Sequence, residues 1–348
     1  MNIVQDTWSN SHRTDTTYHP IFGWSYVPNQ FKRVPDPTHP YYITTNNLGF
    51  RSNFDFKKES QGKKRVIFLG DSFTAGDGVA NEDRFSDLVM DSIENLECYN
   101  FGLTASGTDQ QVLIYEHLAK QFEHDIIFLG FSLHDITRLG PELTWRAHQI
   151  RLEYLVLPKP YFHENGRELA IGNIPVPRHR TLRGPAQNNT NGVINLAKRL
   201  YELSGHSSGD IGRWMRESQS YLSEVLLSYR TFSEYGRYYD KADKNWHLME
   251  RIIKRLVEAS DNKPVILFPI PEVRALSSVF KGGYQSLFEA LQKEFENVIF
   301  LDIADYVKDY SRKERHTMMS LSTLHFTKLG NIIASKAIRQ CLINNGLV

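Results

Sequence analysis

The chain is 348 residues long, 41% apolar and 23% charged, with a formal net charge of +1. This globular balance has ample material for a core and length for one enlarged α/β domain or two domains. Its near-neutrality argues against a large nucleic-acid footprint or a polybasic membrane surface.

No apolar run approaches the roughly 18 residues that span a bilayer. Met1 to Asn10 carries neither a basic nor an apolar leader segment, so a cytoplasmic location is expected. Residues 1–60 are rich in Tyr, Pro, Asn and Thr, with extended pieces such as Tyr41-Tyr42-Ile43-Thr44 and turn signals at Pro28-Asn29 and Asn47-Leu48-Gly49. Lacking a periodic apolar pattern, they are expected to form an irregular, partly β appendage on a main domain spanning 61–348.

From Arg65 onward, strand and helix patterns alternate. Arg65 to Leu69 reads as a buried strand stopped by Gly70-Asp71-Ser72, and Phe85, Leu88, Val89, Ile93 and Leu96 then recur at helical spacing. Cys98 to Phe101 is a second strand, ending at Gly102. Thr108-Asp109-Gln110-Gln111 has capping-box spacing with Thr108 as the cap, and Asp125 to Phe131 is the third strand. Such alternation implies a parallel sheet with right-handed crossovers.

After Asp135 the alternation breaks. Residues 136–240 are too long for a plain connection and are expected as a cap beside the sheet edge, with a hairpin-like piece around Tyr161 to Pro177 and helical stretches near 193–203 and 211–227. The core pattern resumes with a helix stripe of Met249, Ile252, Ile253, Leu256 and Val257. Pro264 to Phe268 and Val298 to Leu301 are the fourth and fifth strands. A last helix runs through Leu329, Ile332, Ile333, Ala337 and Cys341 and is closed by Asn345-Gly346.

Residues just past the carboxyl ends of parallel strands are those that can meet. Here they are Asp71 and Ser72, Gly102, Ser132 to Asp135, and the segment before the last helix with His325. A serine and a histidine converging there satisfy the need of a hydroxyl nucleophile for a base. Gly102 can offer a backbone N–H where a side chain would block approach, one half of an oxyanion hole. Asp71 suits the turn, which its side chain can fix by hydrogen bonding. Gly76-Asp77-Gly78 lacks the lysine and spacing of a P-loop, and no dinucleotide fingerprint follows the first strand. Cys98 and Cys341 have neither disulfide density nor zinc spacing, so no cofactor or metal is expected.

Gly70-Asp71-Ser72-Phe73-Thr74, Asn100-Phe101-Gly102, Ser132-Leu133-His134-Asp135 and His325 resemble, in order, the four blocks of the SGNH or GDSL hydrolases. The resemblance covers residues 65–135 and 245–345. It implies a flavodoxin-like three-layer α/β/α fold, Ser72 as nucleophile, His325 as general base, the N–H groups of Ser72 and Gly102 as oxyanion donors, and Asp71 and Asp135 in support. Gly23-Trp24 to Asn29, Asn47 to Arg51, Pro160-Tyr161-Phe162 and Asn173 to Pro177 are similar to segments of SGNH-like proteins from bacterial polysaccharide and glycan gene clusters. That likeness implies an acylated sugar as substrate. Trp24, Tyr26, Trp145 and Tyr161 are candidates to stack on sugar rings, although most aromatic residues must serve the core.

The chain departs from the family pattern at two places. Its third block has Ser132 at the family's Gly and His134 at the family's Asn, so His134 stands where an amide would be the third oxyanion donor. The acid that normally stands three residues before the histidine is replaced by Ser322, with Thr323 beside it. No carboxylate lies within the ten residues upstream of His325; Glu314 is nearest, with Asp302 and Asp305 further back at the end of the fifth strand. The implied function is a serine esterase that removes an O-acyl group, acetyl foremost, from a carbohydrate or glycoconjugate through an acyl-serine. The alternatives are an O-acyltransferase on the same scaffold and a non-catalytic glycan-binding protein with a degraded triad. The expected partner is a small-molecule or glycan ester, and the sequence assigns no oligomeric state.

Overall fold

The computed structural model describes residues 2–4, 15–34, 40–147, 154–178, 180–183, 242–271, 283–320 and 324–348. The helical stretches expected near 193–203 and 211–227 lie outside them. Short strands open the chain: β1 (Asn2–Val4), β2 (Thr16–His19), β3 (Gly23–Tyr26), β4 (Phe31–Val34) and β5 (Tyr41–Thr44). β2 pairs with β3 and β4 with β5, both antiparallel. The alternating part follows as β6 (Lys64–Gly70), α1 (Ser72–Ala75), α2 (Phe85–Ser92), β7 (Leu96–Asn100), α3 (Thr108–His117) and β8 (Ile126–Ser132).

The inserted segment begins with a 3-10 turn, Leu133–Arg138, and continues as β9 (Leu143–Ala147), β10 (Tyr154–Pro158), β11 (Tyr161–Asn165), β12 (Glu168–Gly172) and β13 (Arg180–Arg183). The hairpin expected around Tyr161 to Pro177 is β11 with β12. β1 pairs with β13, so the first residues join the sheet of the insertion. The chain then returns to the core through α4 (Lys244–Ala259), β14 (Val265–Ile270), α5 (Tyr284–Glu294), β15 (Val298–Phe300), α6 (Ala304–Val307), α7 (Arg312–Thr317) and α8 (Lys328–Asn344).

The central sheet has five parallel strands in the order β15-β14-β8-β6-β7. Renumbered within the sheet this is 2-1-3-4-5, the flavodoxin-like order, whose switch point lies between β6 and β8. All of β6 beyond Lys64 is buried, because helices cover both faces of a parallel sheet. Alternation divides its side chains. Val66 and Phe68 join a core with Phe85 and Val89 of α2 and Ile333 and Ile338 of α8. Ile67 and Leu69 join another with Val112 of α3, Ile252 and Leu256 of α4 and Leu287 of α5. Each such side chain contributes on the order of 2 kcal/mol by leaving water.

Local expectations were displaced in several places. Leu96 opens β7 rather than closing α2. The cap of α3 is Gly107, one residue before Thr108, and its N–H is accepted by Gln110 Oε1 at 3.1 Å, so Gln110 and not Gln111 closes the turn. Leu329 is exposed, and the buried stripe of α8 runs instead through Gly330, Ile333, Ala334, Ala337, Ile338, Cys341 and Leu342. Trp24 and Tyr26 are fully buried and belong to the core rather than to a sugar-stacking surface.

The N-terminal segment packs onto the loops that carry the candidate site. Trp24 Nε1 donates to Thr104 O at 2.9 Å, beyond β7. Tyr41 Oη accepts from Gly78 N–H at 2.9 Å, beyond α1. Arg51, 1% exposed, donates to Gly76 O at 2.6 Å, Val79 O at 2.7 Å and Asn81 Oδ1 at 3.0 Å. Replacing Arg51 by Ala leaves these buried acceptors unpaired and is expected to cost about 3 kcal/mol. Urea unfolding of Arg51→Ala beside wild type measures it, and a midpoint within error of wild type contradicts the clamp.

Candidate active site

The strand β6 ends in a turn that its own side chains define. Asp71 is the N-cap of α1, and its Oδ1 accepts from Phe73 N–H at 2.9 Å, a standard use of a short carboxylate at a helix start. Its Oδ2 accepts from Ser132 N–H at 3.2 Å, across the switch point at the end of β8. Thr74 Oγ1 repeats the link by donating to Gly130 O at 2.6 Å. The turn stops at Gly76, whose φ of +83° suits glycine and whose N–H donates back to Ser72 O and Phe73 O. Ser72 is therefore the first residue of α1, with its N–H outside the helix's own ladder.

His325 is delivered by the loop between α7 and α8. A Met319–Phe326 bridge closes the loop, Ser320 N–H donates to His325 O at 2.8 Å, and Leu324 N–H donates to Ser320 O at 2.8 Å. Leu324 has a φ of +60°, in the left-handed region that a γ-branched side chain rarely occupies. Such backbone strain tends to collect at functional positions, and here it directly precedes the histidine. His325 Nε2 lies 2.7 Å from Ser72 Oγ, and its ring centroid lies 5.0 Å from that of Phe73. The two residues that sequence singled out as nucleophile and base are thus in hydrogen-bond contact.

Ser322 and Thr323 lie outside the described residues. Two of the acids further upstream, Glu314 and Asp302, have other partners. Glu314 closes a capping box with Ser311 at the start of α7. Asp302 accepts from Tyr284 Oη at 3.0 Å, Gln285 Nε2 at 3.0 Å and Ala304 N–H at 2.9 Å.

The structure gives Gly102 a different use from the one expected of it. Its N–H donates to Asn100 Oδ1 at 2.8 Å. A Cβ at this position would lie 2.4 Å from Ala75 N and 2.7 Å from Thr74 C, so the absent side chain makes room for the end of α1. His134 sits in the 3-10 turn with its N–H accepted by Ser132 Oγ at 3.2 Å, and its Nε2 lies 3.4 Å from Thr137 Oγ1. Asp135 is fully buried; it accepts from Arg138 at 2.5 Å and from Gln111 Nε2 at 2.9 Å. Tyr161 is half-buried and packs against Gly172.

An ionic cluster that includes Asp71 was not read from the sequence. Arg138 lies 2.5 Å from Asp135 and 3.9 Å from Asp71, and it donates to Ser106 O at 3.0 Å. Lys159, from the insertion, is wholly buried and pairs with Asp109 of α3. Only the Asp135–Arg138 spacing of three was a local signal. Burial pushes Asp71 and Asp135 above the usual carboxylate range, Asp135 well above it with the Asp71 charge adding to the effect, while Arg138 pulls both down. Burial likewise raises Asp109 against the pull of Lys159 and lowers Lys159 against the pull of Asp109.

No family model matches the chain, and no curated protein matches it. Solved structures similar to it include a member of the lipolytic protein G-D-S-L family from Veillonella parvula, at 13% identity over 80% of this chain and 98% of that one, with a TM-score of 0.39. The lipase/acylhydrolase from Enterococcus faecalis is similar at 11% identity over 81% of this chain and 96% of that one, with a TM-score of 0.40. A salicylyl-acyltransferase from a tetracycline biosynthetic pathway is similar at 12% identity over 82% of this chain and 57% of that one, with a TM-score of 0.37.

A raised folded-state pKa means that the native protein holds the proton more tightly than the unfolded chain does. The stability from Asp135 is therefore present below its unfolded value of about 3.9 and lost as pH rises toward the raised native value. Asp135→Asn removes this loss. Calorimetry is expected to show the melting temperature of wild type falling relative to Asp135→Asn as pH rises from about 4 to about 7. Parallel curves contradict it.

Proposed function

We propose that this protein is a serine-dependent ester hydrolase of the SGNH type, acting on an O-acyl group of a carbohydrate or glycoconjugate. The observation that carries this reading is the 2.7 Å contact between His325 Nε2 and Ser72 Oγ at the switch point of a flavodoxin-like sheet. In the proposed reaction, His325 takes the Ser72 proton as Oγ attacks the acyl carbonyl. The oxyanion forms against the Ser72 N–H and the tetrahedral species collapses as His325 returns the proton to the leaving alcohol. Water then attacks the acyl-serine with His325 again as base. Because the Gly102 N–H is held by Asn100, its use as a second oxyanion donor requires that bond to be shared or released. His134 is a candidate for the third donor.

The carbohydrate assignment is supported by the flanking segments similar to those of glycan-cluster proteins and by an aromatic pair the sequence reading missed. Phe31 and Tyr42, on the β4–β5 hairpin, stack with centroids 5.2 Å apart and are 72% and 49% exposed. Exposed aromatic faces suit sugar rings, and the same hairpin reaches the nucleophile loop through Tyr41. An O-acyltransferase would share the acyl-serine and differ only in the alcohol that replaces water.

Hydrolysis of p-nitrophenyl acetate by wild type, Ser72→Ala and His325→Ala tests the reading. Each variant is expected to lose about a thousandfold or more in kcat/KM with a nearly unchanged melting temperature. Equal labelling of wild type and Ser72→Ala by a serine-reactive phosphonate would sink it and favour a glycan-binding protein. Acceleration of product release by added sugar alcohols marks transfer rather than hydrolysis.

A further inference from the structure

The one-turn helix α1 hands the chain to Gly76-Asp77-Gly78, and the middle residue stays bonded to the nucleophile: Asp77 N–H donates to Ser72 O at 2.9 Å. Its side chain reaches the loop beyond β7, where Oδ2 accepts from Thr104 Oγ1 at 2.8 Å. Thr104 is itself held, since its carbonyl accepts from Trp24 Nε1 at 2.9 Å. Both loops leave the carboxyl ends of neighbouring parallel strands, the edge where open α/β sheets place their ligands. The backbone around Asp77 is fixed as well. Gly76 and Gly78 have φ of +83° and +99°, a region that favours glycine, and Gly78 N–H is accepted by Tyr41 Oη at 2.9 Å.

The second oxygen of this carboxylate is unused. Arg51 Nη1 stands 4.0 Å from Asp77 Oδ1, beyond hydrogen-bond range, and Arg51 gives its donors to Gly76 O, Val79 O and Asn81 Oδ1. Among the described residues no donor reaches Oδ1, and the Asp77 side chain is 29% exposed where that of Arg51 is 1% exposed. An acceptor of fixed direction is therefore open to solvent one loop away from Ser72. Burial, with the Asp77 charge adding to it, pushes the Tyr41 phenol up to about 12, so that charge also lies close to the hairpin that carries the exposed Phe31 and Tyr42 rings. A pre-oriented carboxylate near exposed aromatic faces suits a ligand with hydroxyl donors on an apolar ring. In an acetylated sugar those donors lie on the alcohol half, because the acetyl group has none.

We propose that Asp77, fixed by Thr104 at the end of the nucleophile's own turn, is a specificity residue for the alcohol half of the ester, its Oδ1 accepting a hydrogen bond from a free hydroxyl of the sugar. This rests on the serine esterase reading above. Asp77 exchanges no proton with the substrate and touches none of the reacting atoms. Hydrogen bonds to an ionised acceptor are about twice as strong as neutral ones, so a sugar with a hydroxyl in this place is favoured over an ester whose hydroxyls are all blocked. Thr104 supports the contact by holding the other oxygen, which spares the complex the cost of ordering the side chain.

The test measures acetate release by the full chain from glucose 6-acetate, which has free hydroxyls, and from glucose pentaacetate, which has none, with p-nitrophenyl acetate as reference. Wild type, Asp77→Ala and Asp77→Asn are compared; the second variant keeps an oxygen for Thr104 and stands in if the first folds poorly. Wild type is expected to prefer the 6-acetate in kcat/KM, and each variant to lose about tenfold or more of that preference, chiefly through KM. A wild type without the preference, variants that retain it, or an equal fall on all three esters makes Asp77 only a staple between two loops and overturns the proposal. Equal turnover of p-nitrophenyl acetate by wild type and Ser72→Ala overturns the serine reading itself, so the two failures are distinguishable.

Discussion

The Asp71 carboxylate is the junction on which the candidate site depends. One oxygen caps α1 and the other holds the end of β8, so the turn bearing Ser72 is bolted to two strands of the sheet at once. Thr74, three residues on, repeats the connection through Gly130 O. A one-turn helix has little stability of its own, since nucleation fixes several residues for very few bonds. Side-chain bonds to the neighbouring strand supply the rigidity that a nucleophile needs.

The outer loops are held from outside the sheet. Arg51 ties together the backbone beyond α1, Tyr41 takes the Gly78 N–H, and Trp24 holds the loop beyond β7. Burial pushes the Arg51 guanidinium below its ordinary range, with Arg84 nearby adding to the effect, and its acceptors at Gly76, Val79 and Asn81 offset that cost. The N-terminal segment is therefore part of the machinery that shapes the site. On the histidine side a strained Leu324 and a short backbone bridge serve the same end.

What was readable in the chain was local. Each of the five core strands lies within a few residues of its apolar run, because both faces of a parallel strand are buried and leave a continuous signal. The helix of Met249 to Val257 was equally plain, its stripe facing one core. Errors fell at boundaries. Gly107 displaced Thr108 as a cap, Leu96 changed element, and Leu329 turned outward, all cases in which the phase of a helix was set by its packing rather than by its first residues.

By itself the sequence determined the kind of sheet and the placing of Ser72 at a strand end, since apolar period and turn chemistry act over a few residues. It also named His325 as partner, through block order and resemblance. Tertiary structure alone decided that His325 Nε2 stands 2.7 Å from Ser72 Oγ across 253 positions and that Lys159 meets Asp109 across 50. Contacts at that separation depend on where whole elements dock, and neither hydrophobic period nor local propensity encodes the docking.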